Sequence, residues 1–377
     1  MNSQLPPLRI LQVNSLFSGG GTDNQTIELA AGLRDRGEDV TLAIAAGSRW
    51  ETRARELSGV RVEAFDPKSP LKLAMICTLV RLIRAERIQI IHAHQGRDYW
   101  PAIIAARLAG HGTRPVVTRH LITRPRALSR ALLLRVSDVI AVSRAVHAVL
   151  ERELRGPRRR LHQIYGGIDV RAFQTERTTA AEVFRRQQGW ADDTVVLGVL
   201  GSHHWPRGKG QLEFLEAAAK LKTNHPQARY VIVGKGEMGS LLRKRITELQ
   251  LGNVATVAPF TDDIATVINA LDVLVHPALG TEALGLVLWE AMSCAKPVIA
   301  SRLDGITEAF IESEHGLLVP PGDVAALADA MGALLKNPER RARFGQAGRA
   351  HVMAHFTRRH LAENTVRLYQ ELTHRDD

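Results

Sequence analysis

Apolar positions fall into short solid runs separated by longer stretches with apolar residues on one side only. The first run, Arg9–Asn14 (RILQVN), has the length of a strand buried on both faces. A glycine-rich turn and a helical stretch follow, in which Ile27, Leu29, Ala30 and Leu33 approximate one face and Gly37 closes it. Runs at 40–45, 60–64, 88–92, 116–118 and 139–142 read as further strands, with helices at 71–84 and 100–109 between them. Strands alternating with helices predict βαβ units and a parallel sheet covered on both faces.

The alternation restarts after a basic, proline-containing connector at 155–160. Strands are predicted at 195–200, 230–233, 254–257, 273–276, 298–300 and 317–319. Helices are predicted at 211–221, 238–249 and 264–270, from near Leu286, and from Val324 onward. The pattern is that of two consecutive doubly wound α/β domains, with the boundary near 168–180. Two such domains facing each other place the carboxyl ends of two sheets across one cleft, where ligands of α/β folds bind. Which ligand is a question for the residues, because this architecture hosts many chemistries.

A chain of 377 residues supports two cores. It has no run of eighteen apolar residues, and its first residues lack the basic-then-apolar pattern of a secretory leader. Two distant cysteines, Cys77 and Cys294, suit a reducing cytoplasm. The net charge of +11 is unevenly spread: 1–175 holds 27 Lys and Arg against 15 acids, and 176–377 holds 23 against 24. The excess lies in the first half, so an acidic partner is expected there.

Candidate chemistry concentrates between Thr281 and Ser301 (TEALGLVLWEAMSCAKPVIAS). Gly285 allows a tight turn into a helix whose first N–H groups have no intrahelical acceptors, a seat for a phosphate. Glu282 and Glu290 flank that turn and can reach opposite ends of a phosphate-bearing ligand; the alternative is a core helix with two solvated carboxylates. The loop Gly19-Gly20-Gly21 starts like a dinucleotide fingerprint, but Asn24 takes the third glycine position and no acid closes the next strand. Gly208-Lys209-Gly210 and Gly234-Lys235-Gly236 fail the P-loop template. What survives is bare backbone at Gly20 and Gly21 that can approach a ligand closely, or simply a turn that needs small residues.

Taken together these residues resemble the retaining, nucleotide-sugar-dependent glycosyltransferases of family 4, which have the GT-B fold of two facing Rossmann-like domains with a cleft between them. The resemblance rests on Glu282-x7-Glu290 with Gly285 between, on Ala295-Lys296-Pro297-Val298-Ile299-Ala300-Ser301, on Gly305 with Glu308, and on Gly316-Leu317-Leu318-Val319-Pro320-Pro321-Gly322-Asp323. In the first half Glu28-Leu29-Ala30, Ile91-His92-Ala93-His94 and Tyr165-Gly166-Gly167-Ile168-Asp169 fit the same pattern. It implies an acceptor-binding domain at 1–170, completed by a C-terminal helix at about 357–377, and a nucleotide-sugar-binding domain at 171–356. It also implies that Glu290 holds the ribose, Glu282 a hydroxyl of the donor sugar, and the N–H groups of Gly285 and Leu286 the diphosphate. Lys209 and Arg207 would meet the charge on the departing diphosphate. His204 stands where many members carry the second cation, so Arg207 and His204 compete for that role.

His120, ending Val116-Val117-Thr118-Arg119-His120, matches the family histidine beside the donor sugar; the alternative is an ordinary loop histidine. His92 and His94 alternate along a strand and share one face, yet no cluster of acids or cysteines accompanies them as in a metal site. The chain has no Asp-x-Asp, so no metal or other cofactor is expected. Residues 119–135 carry five arginines, no acid and several leucines, and 70–84 is an apolar helix edged by Lys72, Arg81 and Arg84. Such segments lie on anionic inner-leaflet lipids, or pack on a core with their arginines snorkelling to water. The leading expectation is a transferase moving a sugar to an anionic or lipid-linked saccharide of the cell envelope, as in lipopolysaccharide synthesis. An epimerase or phosphorylase of the same fold is the enzymatic alternative. A non-catalytic nucleic-acid- or anion-binding protein is the other, disfavoured because aromatics make up only 5% of residues and do not interleave with the arginines.

Overall fold

The computed structural model describes residues 6–15, 20–48, 50–65, 72–204, 206 and 208–374. The chain divides into two compact units, Met1–Ile168 with Phe356–Asp377, and Asp169–His355.

The first unit alternates strand and helix: β1 (Arg9–Asn14), α1 (Gly21–Asp35), β2 (Asp39–Ala45), α2 (Glu51–Arg55), β3 (Val60–Phe65), α3 (Lys72–Glu86), β4 (Ile90–Ala93), α4 (Tyr99–Ala109), β5 (Arg114–Arg119), α5 (Ala127–Val136), β6 (Asp138–Ala141), α6 (Arg144–Glu153) and β7 (Leu161–Gln163). The strands form one parallel sheet in the order β3-β2-β1-β4-β5-β6-β7. Ile10, Leu11 and Val13 of the central β1 are fully buried, as a strand covered on both faces requires.

Two departures from the sequence reading have local causes. The fourth strand begins at Ile90 rather than at 88, because the Ile88 N–H turns back to the Ile83 carbonyl at 3.0 Å and closes α3. The basic connector at 155–160 does not lead out of the first unit. It feeds β7, a three-residue strand (LHQ) with a single apolar residue and no pattern to reveal it.

The second unit runs α7 (Thr179–Gln187), β8 (Val195–Leu200), α8 (Gln211–Leu221), β9 (Ala228–Val233), α9 (Gly239–Glu248), β10 (Ala255–Ala258), α10 (Ile264–Ala270), β11 (Val273–His276), α11 (Leu286–Ser293), β12 (Val298–Ser301), β13 (Gly316–Val319), α12 (Val324–Lys336) and α13 (Pro338–His355). Its sheet is also parallel, ordered β10-β9-β8-β11-β12-β13. Its core gathers Phe214, Tyr230, Met238, Leu242, Met331 and Phe344 around those strands.

The last helix, α14 (Arg358–Thr373), returns to the first unit and packs on α1. Gly32 makes that approach possible, since a Cβ there would lie 2.9 Å from the Ala362 Cβ. Arg358 pairs with Glu28 at 2.6 Å, and the Tyr369 side chain is fully buried. No helix among the described residues is long and apolar enough to cross a membrane.

Candidate active site

In each sheet the strand order reverses between the first and fourth strands of its unit, β1 and β4 in one, β8 and β11 in the other. Loops leaving the carboxyl ends of strands at such a switch point diverge and leave room for a ligand.

In the second unit two glycines press the loops after β8 and after β12 against the loop after β11. Gly210 has φ +79°, and a Cβ on it would lie 1.9 Å from the Pro277 carbonyl oxygen. A Cβ on Gly305 would lie 2.0 Å from the Ala283 oxygen. The Gly305 N–H donates to the Glu282 carbonyl at 3.0 Å, and the Glu282 N–H donates to Asp304 Oδ2 at 3.3 Å. With these loops fixed, the Lys209 ammonium donates to Glu282 Oε1. The His276 Nε2 lies 3.7 Å from the same oxygen. Burial of the Glu282 carboxyl raises its pKa, but His276 and Lys209 outweigh that and bring it down to about 2. The carboxylate is therefore ionised throughout the physiological range.

Gly285, at φ +72°, occupies the left-handed region that the turn into α11 demands. Leu286 opens the helix, whose early N–H groups and dipole form an anion seat. Trp289, fully buried, donates its indole N–H to the Ala309 carbonyl at 3.0 Å and pins the helix. Glu290 lies one turn in and is partly buried. Lys209 and Glu282 are thus brought into contact, and Gly285, Leu286 and Glu290 share one short helix. Arg207 lies outside the described residues. His204, its rival, directs Nδ1 to Glu237 at 2.7 Å.

Two residues here escaped the sequence reading. His276 ends β11, is 3% exposed, and has no hydrogen-bond partner at either ring nitrogen. Its signal was a lone polar residue closing an apolar strand. His203 is equally buried, and its backbone bonds Lys235 and Met238 of the neighbouring glycine loop. Nothing in its local sequence marked it.

In the first unit, Gly20 caps α1 at φ +149° with open space where a Cβ would sit, and Gly21 begins the helix. Gly19 is outside the described residues. His120 follows β5, and around it runs a buried chain of hydrogen bonds. The Gln12 amide oxygen accepts from His94 Nε2, and His94 Nδ1 lies 3.4 Å from His120 Nε2. The Gln12 amide nitrogen donates to the Tyr369 hydroxyl at 3.4 Å; that hydroxyl meets His92 Nδ1 at 2.5 Å, and His92 Nε2 meets Thr118 Oγ1 at 2.6 Å.

With the Gln12 amide in this orientation, the tautomers follow from the hydrogen-bond chain. His94 carries its proton on Nε2 and accepts at Nδ1, so His120 carries its own on Nε2 and presents an unprotonated Nδ1. Burial, with Arg119 adding to it, pushes His120 down to about 3; burial, with His120 adding to it, does the same for His92. All ring nitrogens of His92 and His94 have partners within the protein. Among the described residues, no three His, Cys, Asp or Glu side chains are grouped to hold a metal ion.

The basic stretch 119–135 is less free than its sequence suggests. Arg119 ends β5 and donates to the Thr123 carbonyl at 2.7 Å. Arg124 and Arg130 both reach Glu153, at 2.7 and 3.0 Å.

Two family models match the chain, "Glycosyltransferase Family 4" over residues 19–172 and "Glycosyl transferases group 1" over 181–351. The chain belongs to the family 4 glycosyltransferases. Its two parallel-sheet units are those of the GT-B fold, shared with Anabaena HepE at a TM-score of 0.82 and 23% identity over 96% of this chain and 99% of that one. Among curated relatives, a Corynebacterium glutamicum GDP-mannose-dependent monoacylated α-(1-6)-phosphatidylinositol monomannoside mannosyltransferase is 33% identical over 54% of each chain. The putative glycosyltransferase EpsD of Bacillus subtilis is 27% identical over 77% of this chain and 78% of its own. The chain thus spans about half the length of the first of these relatives. As a family member, the second unit carries the "group 1" match and with it Lys209, Glu282, Gly285, Leu286 and Glu290.

Proposed function

We propose that this protein is a retaining glycosyltransferase that moves a sugar from a nucleoside diphosphate to an anionic or lipid-linked saccharide of the cell envelope. The observation that carries the reading is the contact of Lys209 with Glu282 at the switch point of the second sheet, beside the amino end of α11. The diphosphate sits on the N–H groups of Gly285 and Leu286, with the ribose hydroxyls on Glu290. Lys209 exchanges Glu282 for the diphosphate when donor binds, and stabilises the charge that develops as the sugar–oxygen bond breaks. Glu282, kept ionised, is released to accept a hydrogen bond from a sugar hydroxyl. In the first unit, His120 is neutral and offers Nδ1 as a hydrogen-bond acceptor for a sugar hydroxyl. Helix end and lysine supply the positive charge, so no metal is required and transfer persists in EDTA.

The acceptor assignment draws on the first unit's charge and on the phosphatidylinositol-linked acceptor named for the C. glutamicum relative. Exposed Leu73, Leu108, Leu121 and Leu128, with Arg81 and Arg126 nearby in sequence, give that unit the apolar and basic composition of an inner-leaflet contact. Two assays test the proposal. Purified protein is offered labelled UDP-, GDP- and ADP-sugars with anionic glycolipid extracts, and product is resolved by chromatography. Transfer from one donor, lost in Glu282→Ala, supports it; conversion of the sugar with the nucleotide retained points to an epimerase instead. Flotation with phosphatidylglycerol vesicles at low salt tests the membrane contact, which fails if the protein stays unbound.

A further inference from the structure

The first unit holds an unassigned cavity of about 770 Å³ at the amino ends of β5, β6 and β7, the edge of the sheet opposite to His94 and His120. Arg107 from α4, Arg114 at the start of β5, Arg135 from α5, and Arg159 and Arg160 from the connector before β7 line it. The connector that reads in sequence as a linker is therefore one wall of a basic pocket.

Charge balance shows that the fold does not account for all of these arginines. Asp138 is the one acid lining the cavity among the described residues, and it accepts from His162 at 2.8 Å. The carboxyl ends of α4 and α5 also point here, at Ala109 and Val136; each contributes about half a negative charge. Five guanidinium groups against roughly two negative charges leave an excess of about three. Arg160 donates to the Arg135 carbonyl at 3.3 Å, which ties the connector to α5. Arg107, Arg135 and Arg159 have no acidic partner among the described residues. Like charges lining one concave wall repel one another, so the arrangement gains most from a bound polyanion.

We propose that this cavity is a second anion site, separate from the nucleotide-sugar site and taking a phosphate-rich ligand with about three negative charges. Guanidinium groups match phosphate oxygens in pairs, and the volume falls within the range of small-ligand pockets. Either a soluble polyphosphate compound or a phospholipid headgroup supplies that chemistry.

The test uses the full-length Lys209→Ala protein, so that the other phosphate-binding site does not contribute. Inorganic tripolyphosphate is titrated by calorimetry at low salt, then again with Arg135→Ser and Arg159→Ser added. One-to-one binding that weakens with salt, and falls about tenfold or more in the doubly substituted protein, is the expected result. No binding to the parent, or equal binding after the two substitutions, overturns the proposal. Competition by phosphatidylglycerol vesicles, but not phosphatidylcholine vesicles, assigns the site to a headgroup; its absence assigns it to a soluble polyanion. Arg135→Ser and Arg159→Ser in the otherwise native protein retain sugar transfer. Loss of transfer would place these arginines in the acceptor site and overturn the idea of a separate one. Arg135 and Arg159 have exposed side chains, so thermal unfolding unchanged from that of the parent separates loss of binding from loss of fold.

Discussion

Replacing Lys209 by methionine keeps most of the stem and removes the charge that faces Glu282. The Glu282 carboxyl is held at about 2 against an ordinary value of 4.5, which at 1.36 kcal/mol per unit corresponds to ~3 kcal/mol in favour of its ionised form. His276 supplies part of that and stays in place, while the Lys209 side chain is 29% exposed and partly screened by solvent. The lysine's own share is then about 1–2 kcal/mol at neutral pH, below the 3–5 kcal/mol typical of a fully buried pair. For a unit of this size the melting temperature falls by roughly 2–8 °C. The pH dependence gives a stricter test. A carboxyl depressed on folding adds stability above its unfolded value near 4.5 and loses it as pH falls through 2. The gap between native and Lys209→Met proteins is therefore widest at pH 7 and narrows below pH 4.5. Differential scanning calorimetry from pH 7 to pH 3, where folding persists, measures it. An unchanged melting temperature at pH 7, or a gap that stays constant with pH, would refute the pairing. If Lys209 meets the leaving diphosphate as proposed, the same variant loses about a hundredfold or more in sugar transfer.

Other consequences follow from neighbouring contacts. Gly305→Ala puts a Cβ 2.0 Å from the Ala283 oxygen, so the Glu282 loop must shift; transfer should collapse while far-UV circular dichroism changes little. In the second unit, His315 and His351 have ring centroids 4.5 Å apart, and burial, then His315 and His355, push His351 down to about 4. The unfolded chain binds protons there that the folded unit does not, so urea stability should be full above pH 6.5 and decline toward pH 4; His351→Phe should flatten that decline, and an unaltered slope would contradict it. In the first unit, ¹⁵N spectra of histidine-labelled protein should show His120 protonated at Nε2 and bare at Nδ1, with mixed tautomers once His94→Phe removes the acceptor. Protonation at Nδ1 in the native protein would overturn the assignment.

Much of the architecture was legible because parallel strands buried on both faces write themselves as solid apolar runs, and β1, β8 and β11 match their predicted limits. What stayed hidden was short or polar. β7 has one apolar residue, and no element is read from sequence at α7 (TAAEVFRRQ), although its Arg185 is buried against the Ala270 and Thr194 carbonyls. At the site, Glu282, Glu290 and Lys209 carried recognisable spacing. Their contacts were not readable, because Lys209 and Glu282 lie 73 residues apart and meet only through the strand order. The Gln12–His94–His120 chain was missed for the same reason, each link joining neighbouring strands, whereas His276 reads in sequence only as a lone polar residue closing an apolar strand. The arginines of 119–135 were overcounted as free charge, since Glu153, which binds two of them, lies outside that window.

The most direct test is calorimetric titration of UDP, GDP and ADP into the native protein and into Glu290→Ala. If the amino end of α11 holds the diphosphate and Glu290 the ribose, one nucleotide binds preferentially. Its affinity then drops about tenfold or more in the variant, the cost of losing charge-assisted hydrogen bonds to a hydroxyl pair. Binding of the same nucleotide with unaltered affinity to Glu290→Ala would contradict the assignment of this helix as the donor site.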